Sequence, residues 1–63
     1  MKNFWQFEFY VKNEKRIRYF RGTEAAVVRK VKRYDSETKN LVQISKSKAE
    51  YLKAEKKARF VDL

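Results

Sequence analysis

The chain has no cysteine, no histidine and no proline, and a single glycine among its 63 residues. Without cysteine no disulfide can staple it, and without a His or Cys cluster no structural zinc can hold it. The same two absences remove the usual general base and the strongest side-chain nucleophile. One glycine, Gly22, cannot build a phosphate-cradling loop. The longest uninterrupted apolar run is four residues, Ala25 to Val28, so nothing reads as a membrane span. Met1-Lys2 leads directly into strand-like residues instead of an apolar signal core, and with the missing cysteines this reads as a cytoplasmic protein. Carboxylates are also scarce, eight against seventeen cations, and no pair is spaced for acid–base work. Asp35-Ser36-Glu37 is too short for a calcium loop and reads as a turn. The expectation is a protein that is not an enzyme, with no metal, no cofactor and no small-molecule substrate.

What is present is charge and aromatic bulk. The net charge is +9 and 40% of residues are charged, so the first expected partner is a polyanion, nucleic acid above all. Apolar residues make up 43%, with 16% aromatic, and large rings let so short a chain bury a core. No linker, repeat or composition break divides it, so residues 1–63 read as one domain.

Residues 4–12 alternate with a period of two. Trp5, Phe7, Phe9 and Val11 fall on one side, and Gln6, Glu8, Tyr10 and Lys12 on the other, as in a half-buried strand. Residues 16–21 alternate again, and a polar turn separates the two, predicting a hairpin over about 4–21. A loop at Asn13-Glu14 would mix the faces. A three-residue loop, Asn13 to Lys15, sets Val11 opposite Ile17 and Phe9 opposite Tyr19. The predicted core is then Trp5, Phe7, Phe9, Val11, Ile17 and Tyr19.

Gly22 ends the second strand, and Thr23 is placed to cap a helix over about 24–34, with Glu24 in its first turn. Val27, Val28, Val31 and Tyr34 fall on one helical side, and Arg29, Lys32 and Arg33 on the other. The competing reading makes Asp35-Ser36 a β-turn between two strands. Residues 41–45 predict a short strand with Val42 and Ile44 inward. Ser47 with Glu50 reads as a capping box opening a C-terminal helix over about 48–59, with Tyr51, Ala54, Ala58 and Val61 along one side and Leu52 on a flank. The fold class expected is α+β in the order ββαβα, a three-stranded, mainly antiparallel sheet with both helices on the Trp5 face.

Two surfaces suit a polyanion. One is the even face of the hairpin, where Tyr10, Arg16, Arg18 and Phe20, with Arg21 beside them, combine rings that stack bases with cations that neutralise phosphates. Alternatively, the C-terminal helix or a dimer partner covers Phe4 and Phe20, Arg18 pairs with Glu8, and that face is a second small core. The other surface is Arg29-Lys30-Val31-Lys32-Arg33, where Arg29, Lys32 and Arg33 share a helical side that can lie along a phosphate backbone. A hairpin with basic strands followed by a helix also occurs in small DNA-binding domains of recombinases, although no motif carries the likeness. The expected function is non-catalytic nucleic-acid binding or an accessory role on DNA or RNA. The rival is a protein-interaction module, a homodimer or a dock for an acidic partner, using the aromatic hairpin face. Attachment to anionic membrane fits less well, because the apolar sides of the helices hold mostly small residues.

Overall fold

A computed structural model describes residues 2–34, 38 and 40–63. The chain forms β1 (Asn3–Val11), β2 (Glu14–Gly22), α1 (Glu24–Val31), β3 (Leu41–Ile44), α2 (Lys46–Glu55) and β4 (Phe60–Asp62). The strands make one mixed sheet in the order β3-β1-β2-β4. β1 is antiparallel to both β2 and β3, whereas β4 runs parallel to β2. The α+β class, a hairpin and two helices are as the sequence predicts, but α1 stops at Val31, with Lys32 as its C-cap, short of the predicted 34, and the fourth strand is additional. The proposed turn at Asp35-Ser36-Glu37 lies outside the described residues.

The hairpin register differs from the predicted one. Its loop is two residues, Lys12-Asn13, both in the left-handed region at φ 52° and 68°. This primed geometry matches the right-handed twist of the flanking strands, which is why two-residue hairpins favour it. Trp5 therefore faces Phe20, Phe7 faces Arg18, and Phe9 faces Arg16. The inward side of β2 is its even side, and Ile17 and Tyr19 point the opposite way from Phe7 and Phe9. Val11, at the end of its strand, is exposed instead of buried.

β1 and β2 are the two central strands, and away from the hairpin tip each of their faces packs against one helix. On the first face Trp5, Phe7, Phe9 and Phe20 bury against Val27 and Val31 of α1, with Leu41 and Leu63 at the margin. On the second face Ile44 packs with Ala49 and Leu52 of α2, edged by Phe4, Tyr19, Ala58 and Phe60. The helices thus lie on opposite sides of the sheet, correcting the one-sided arrangement. The predicted alternative of a second small core holds for Phe4, and Phe20 belongs to the first.

Local chemistry accounts for the joints. Gly22 sits where a Cβ would meet the Leu63 Cβ at 3.1 Å, so its missing side chain lets the C-terminus approach. There the Leu63 amide donates to the Arg21 carbonyl at 2.8 Å, and the buried Trp5 indole donates to the Gly22 carbonyl at 3.0 Å. Thr23 caps α1 as predicted, its hydroxyl accepting from the Ala26 amide at 3.3 Å. α2 is capped by Ser45 and not by Ser47, the Ser45 hydroxyl accepting from the Lys48 amide at 3.1 Å. Ser45 offers the same acceptor two residues earlier, directly after β3, so the helix starts there and the expected capping box is not used.

The inward side of α2 is Ala49 and Leu52, while Tyr51 is exposed. α2 ends short of residue 59: Lys57 turns left-handed at φ 54°, and the chain runs on into β4, with the Ala58 amide donating to the Leu52 carbonyl at 3.1 Å. Ile44 is buried as expected, whereas Val42 is exposed.

Candidate nucleic-acid interface

The eight residues singled out for polyanion contact do not form one surface. Phe20 has no exposed area and fills the first core, so it offers no ring to a base. Tyr10 pairs with Lys15 on the α2 side of the sheet, whereas Arg16 and Arg18 lie opposite Phe9 and Phe7 on the α1 side. The platform of interleaved rings and arginines is therefore split between two faces by the register. Arg21 is set apart as well. Its guanidinium reaches Asp62 at 3.2 Å, which Lys2 also contacts at 3.2 Å, fastening β4 to the sheet edge. The hydrogen bond from Lys2, then the positive charges of Lys2 and Arg21, hold the Asp62 carboxyl below its ordinary value.

The remaining five, Arg16, Arg18, Arg29, Lys32 and Arg33, all belong to the α1 side of the molecule. The caps and valines of α1 set its phase: burying Val27 and Val31 turns Arg29 outward, and the C-cap Lys32 and Arg33 in the turn after it are exposed. Arg29 and Lys32 line a shallow groove with Glu24, Ala25 and Val28. Arg29 and Arg33 line a second with Ala26, Lys30 and Leu63. The central arginine is shared by both. Arg29 and Lys30 in the last turn of α1, its C-cap Lys32 and Arg33 just beyond it put four cations in five residues, with the one acid of the helix, Glu24, at its far N-terminal end.

The helix and hairpin meet through an aromatic stack. Tyr34, directly after Arg33, stacks on Phe9 with centroids 5.1 Å apart and planes at 25°. The Arg18 guanidinium lies over the same Phe9 ring at 5.7 Å. Its aliphatic stem can then cover the core edge while its charge stays at the surface. The basic C-terminal end of α1 is thereby pinned beside the hairpin arginines.

Sequence reasoning missed the shape of that hairpin. β3 pairs only with Phe4 to Phe7, and β4 only with Tyr19 to Arg21. From Glu8–Ile17 to Val11–Glu14 the two strands pair only with each other among the described residues. Every residue from Tyr10 to Arg16 is exposed. Beyond the cores the hairpin is a projecting two-stranded ribbon. It carries Lys12, Lys15 and Arg16, with Lys15 paired to Glu8 at 3.4 Å and Arg16 to Glu14 at 3.2 Å. The signal available was the length mismatch between nine-residue strands in the hairpin and the four-residue strand after it.

No family model, curated protein or solved structure matches the chain.

Proposed function

We propose that this is a non-catalytic nucleic-acid-binding protein whose anchor is the outer side of α1, with Arg29, Lys32 and Arg33 along the phosphate backbone. The observation that carries the reading is the placement of these cations on one outward face, joined to Arg18 and Arg16 through the Phe9–Tyr34 stack. Phosphate neutralisation releases condensed counterion, so affinity must fall steeply with salt. With about three to five cations engaged, the log–log slope on duplex DNA is roughly −3 to −5. Arg29→Ala and Arg33→Ala each reduce its magnitude by about one unit. Fluorescence anisotropy on short single- and double-stranded oligonucleotides, from about 50 mM salt upward, measures both. Absence of binding to any of them at micromolar protein removes this reading.

A second reading, a protein-interaction module, draws on the opposite face. There Tyr10 and Val42 are 62% and 53% exposed on the sheet side that carries half-buried Ile17. An apolar patch of that kind suits a homodimer, and sedimentation equilibrium tests it: dimers broken by Val42→Lys support it, and monomers at about 100 μM reject it.

A further inference from the structure

We infer that the projecting end of the hairpin, Tyr10 to Arg16, is a major-groove reader, and that the nucleic acid recognised is B-form duplex DNA. The inference rests on the nucleic-acid reading above and assigns the ribbon a task different from that of α1.

The division follows from charge. Residues 29–33 hold four cations and no acid, whereas the two-stranded segment 8–17 holds Lys12, Lys15 and Arg16 against Glu8 and Glu14. A surface meant to lie flush on phosphates gains nothing from two carboxylates, which the backbone repels. Inside a groove the same groups have uses. Arginine donates to guanine O6 and N7, asparagine pairs with adenine N6 and N7, and a carboxylate accepts from cytosine N4. The ribbon presents these types together: Arg16 held by Glu14 at 3.2 Å, and Asn13 at the apex in a left-handed conformation.

Shape selects the duplex. A two-stranded ribbon fits the B-form major groove, which is about 12 Å wide. Beyond buried Phe9 the free end, Tyr10–Lys15, Val11–Glu14 and the two-residue turn, extends about 8 Å, comparable with the depth of about 8.5 Å to the base edges. The A-form RNA major groove is too deep and narrow for side chains to read. Single strands are read by open aromatic platforms, and Phe20 is not available to build one here. Because the Phe9–Tyr34 stack ties the end of α1 to the root of the ribbon, a ribbon in the groove brings Lys32 and Arg33 toward the flanking backbone.

The test compares a DNA duplex, an RNA duplex of the same sequence and a single DNA strand by anisotropy, with dimethyl sulfate footprinting on the DNA duplex. Methylation of guanine N7 reports the major groove and that of adenine N3 the minor groove. The expected result is binding to the DNA duplex about tenfold tighter than to the other two, with guanine N7 protected and adenine N3 open. Asn13→Gly combined with Arg16→Ala keeps a turn-compatible residue at the apex. It should lose the N7 protection and about tenfold in duplex affinity while leaving the salt slope within about one unit. Lys46→Gln with Lys48→Gln, on α2, should leave footprint and affinity unchanged, and circular dichroism checks that each variant is folded. Equal affinity for the three nucleic acids, protection of adenine N3, or N7 protection that survives the Asn13/Arg16 variant overturns the groove assignment while leaving α1 as the anchor. No binding to any of the three overturns both.

Discussion

The two faces of the sheet are built to different standards. Under α1, Phe7, Phe20, Val27 and Val31 have no contact with solvent, and Trp5 and Phe9 are nearly as dry. Under α2, only Ile44, Ala49 and Leu52 are buried among the described residues, and the large rings at that face, Phe4, Tyr19 and Phe60, are half-buried. There the rings stack edgewise on one another, Phe4 on Phe60 at 5.5 Å and 87°, and Lys53 closes over both at 5.2 and 5.3 Å. The first face is a packed interior and the second is a lid. A domain this small can complete one core of large side chains, and what remains stiffens the other side of the sheet. α1 rests on the better core, so its basic surface is carried by the more tightly packed half of the molecule.

The largest effect belongs to the α1 face. Phe20→Ala should cost about 3–5 kcal/mol, most of the stability of so small a domain. Its neighbour Tyr19, half exposed on the other face, should cost about 1–2 kcal/mol when changed to alanine. Urea denaturation of the two variants decides the register: the reverse order would mean that Tyr19, and not Phe20, points at Trp5 and Phe7. Next comes Leu52→Ala, expected at about 2–3 kcal/mol because its site is at the margin of water and can partly collapse. Native-state hydrogen exchange sharpens the comparison, since α2 amides should exchange faster than α1 amides, and Leu52→Ala should widen the gap.

This contrast also explains what could be read from sequence. β1 shows clean alternation because its odd side enters the aromatic core and its even side meets a thinner cover. β2 carries Ile17 and Tyr19 on one side and Phe20 on the other, because a central strand between two helices is apolar both ways, and alternation then cannot choose a register. The turn chooses it, and only Asn13 advertised a left-handed residue; Lys12 did not. The cap at Thr23 and the outward cations of α1 were legible, since helix phase follows from two valines four apart. β4 was not: three residues after a Lys-Ala-rich run have no periodicity of their own, and their place depends on a left-handed Lys57 and on contacts with β2. For the candidate site, sequence grouped Tyr10, Arg16, Arg18 and Phe20 on one face where the structure divides them, because the split of Tyr10 from Arg16 and Arg18 depends on that same turn.

The turn supplies the next prediction, and its sign is opposite. A lysine at φ 52° is in a region that costs an L-residue about 1–2 kcal/mol. Replacing Lys12-Asn13 by Asn-Gly, the pair that primed two-residue turns prefer, should stabilise the fold by about 1 kcal/mol in thermal melts. The gain would reach both faces equally, because the hairpin is common to both cores. If the substitution destabilises, the loop is longer than two residues and the ribbon geometry falls with it.

The smallest effect is expected at the sheet edge, where Asp62 holds β4 through Lys2 and Arg21. Its carboxyl titrates below the ordinary value of 3.8, chiefly because Lys2 donates a hydrogen bond to the ionised form. A group whose folded pKa is lowered stabilises the fold above its unfolded pKa, and the contribution is lost as pH falls through the folded value. Asp62→Asn should therefore melt slightly lower than the parent at about pH 7, and the two should converge at about pH 2, where both side chains are neutral. Added salt should also shrink the difference at about pH 7, because all three groups are exposed to solvent. The fastened edge is on the α2 side, so the loss should appear as faster exchange at Val61 and Asp62, with the amides of Val27 and Val31 unaffected. Equal slowing or quickening on both faces would mean that the edge supports the whole sheet, and that the lid is as integral to the fold as the core.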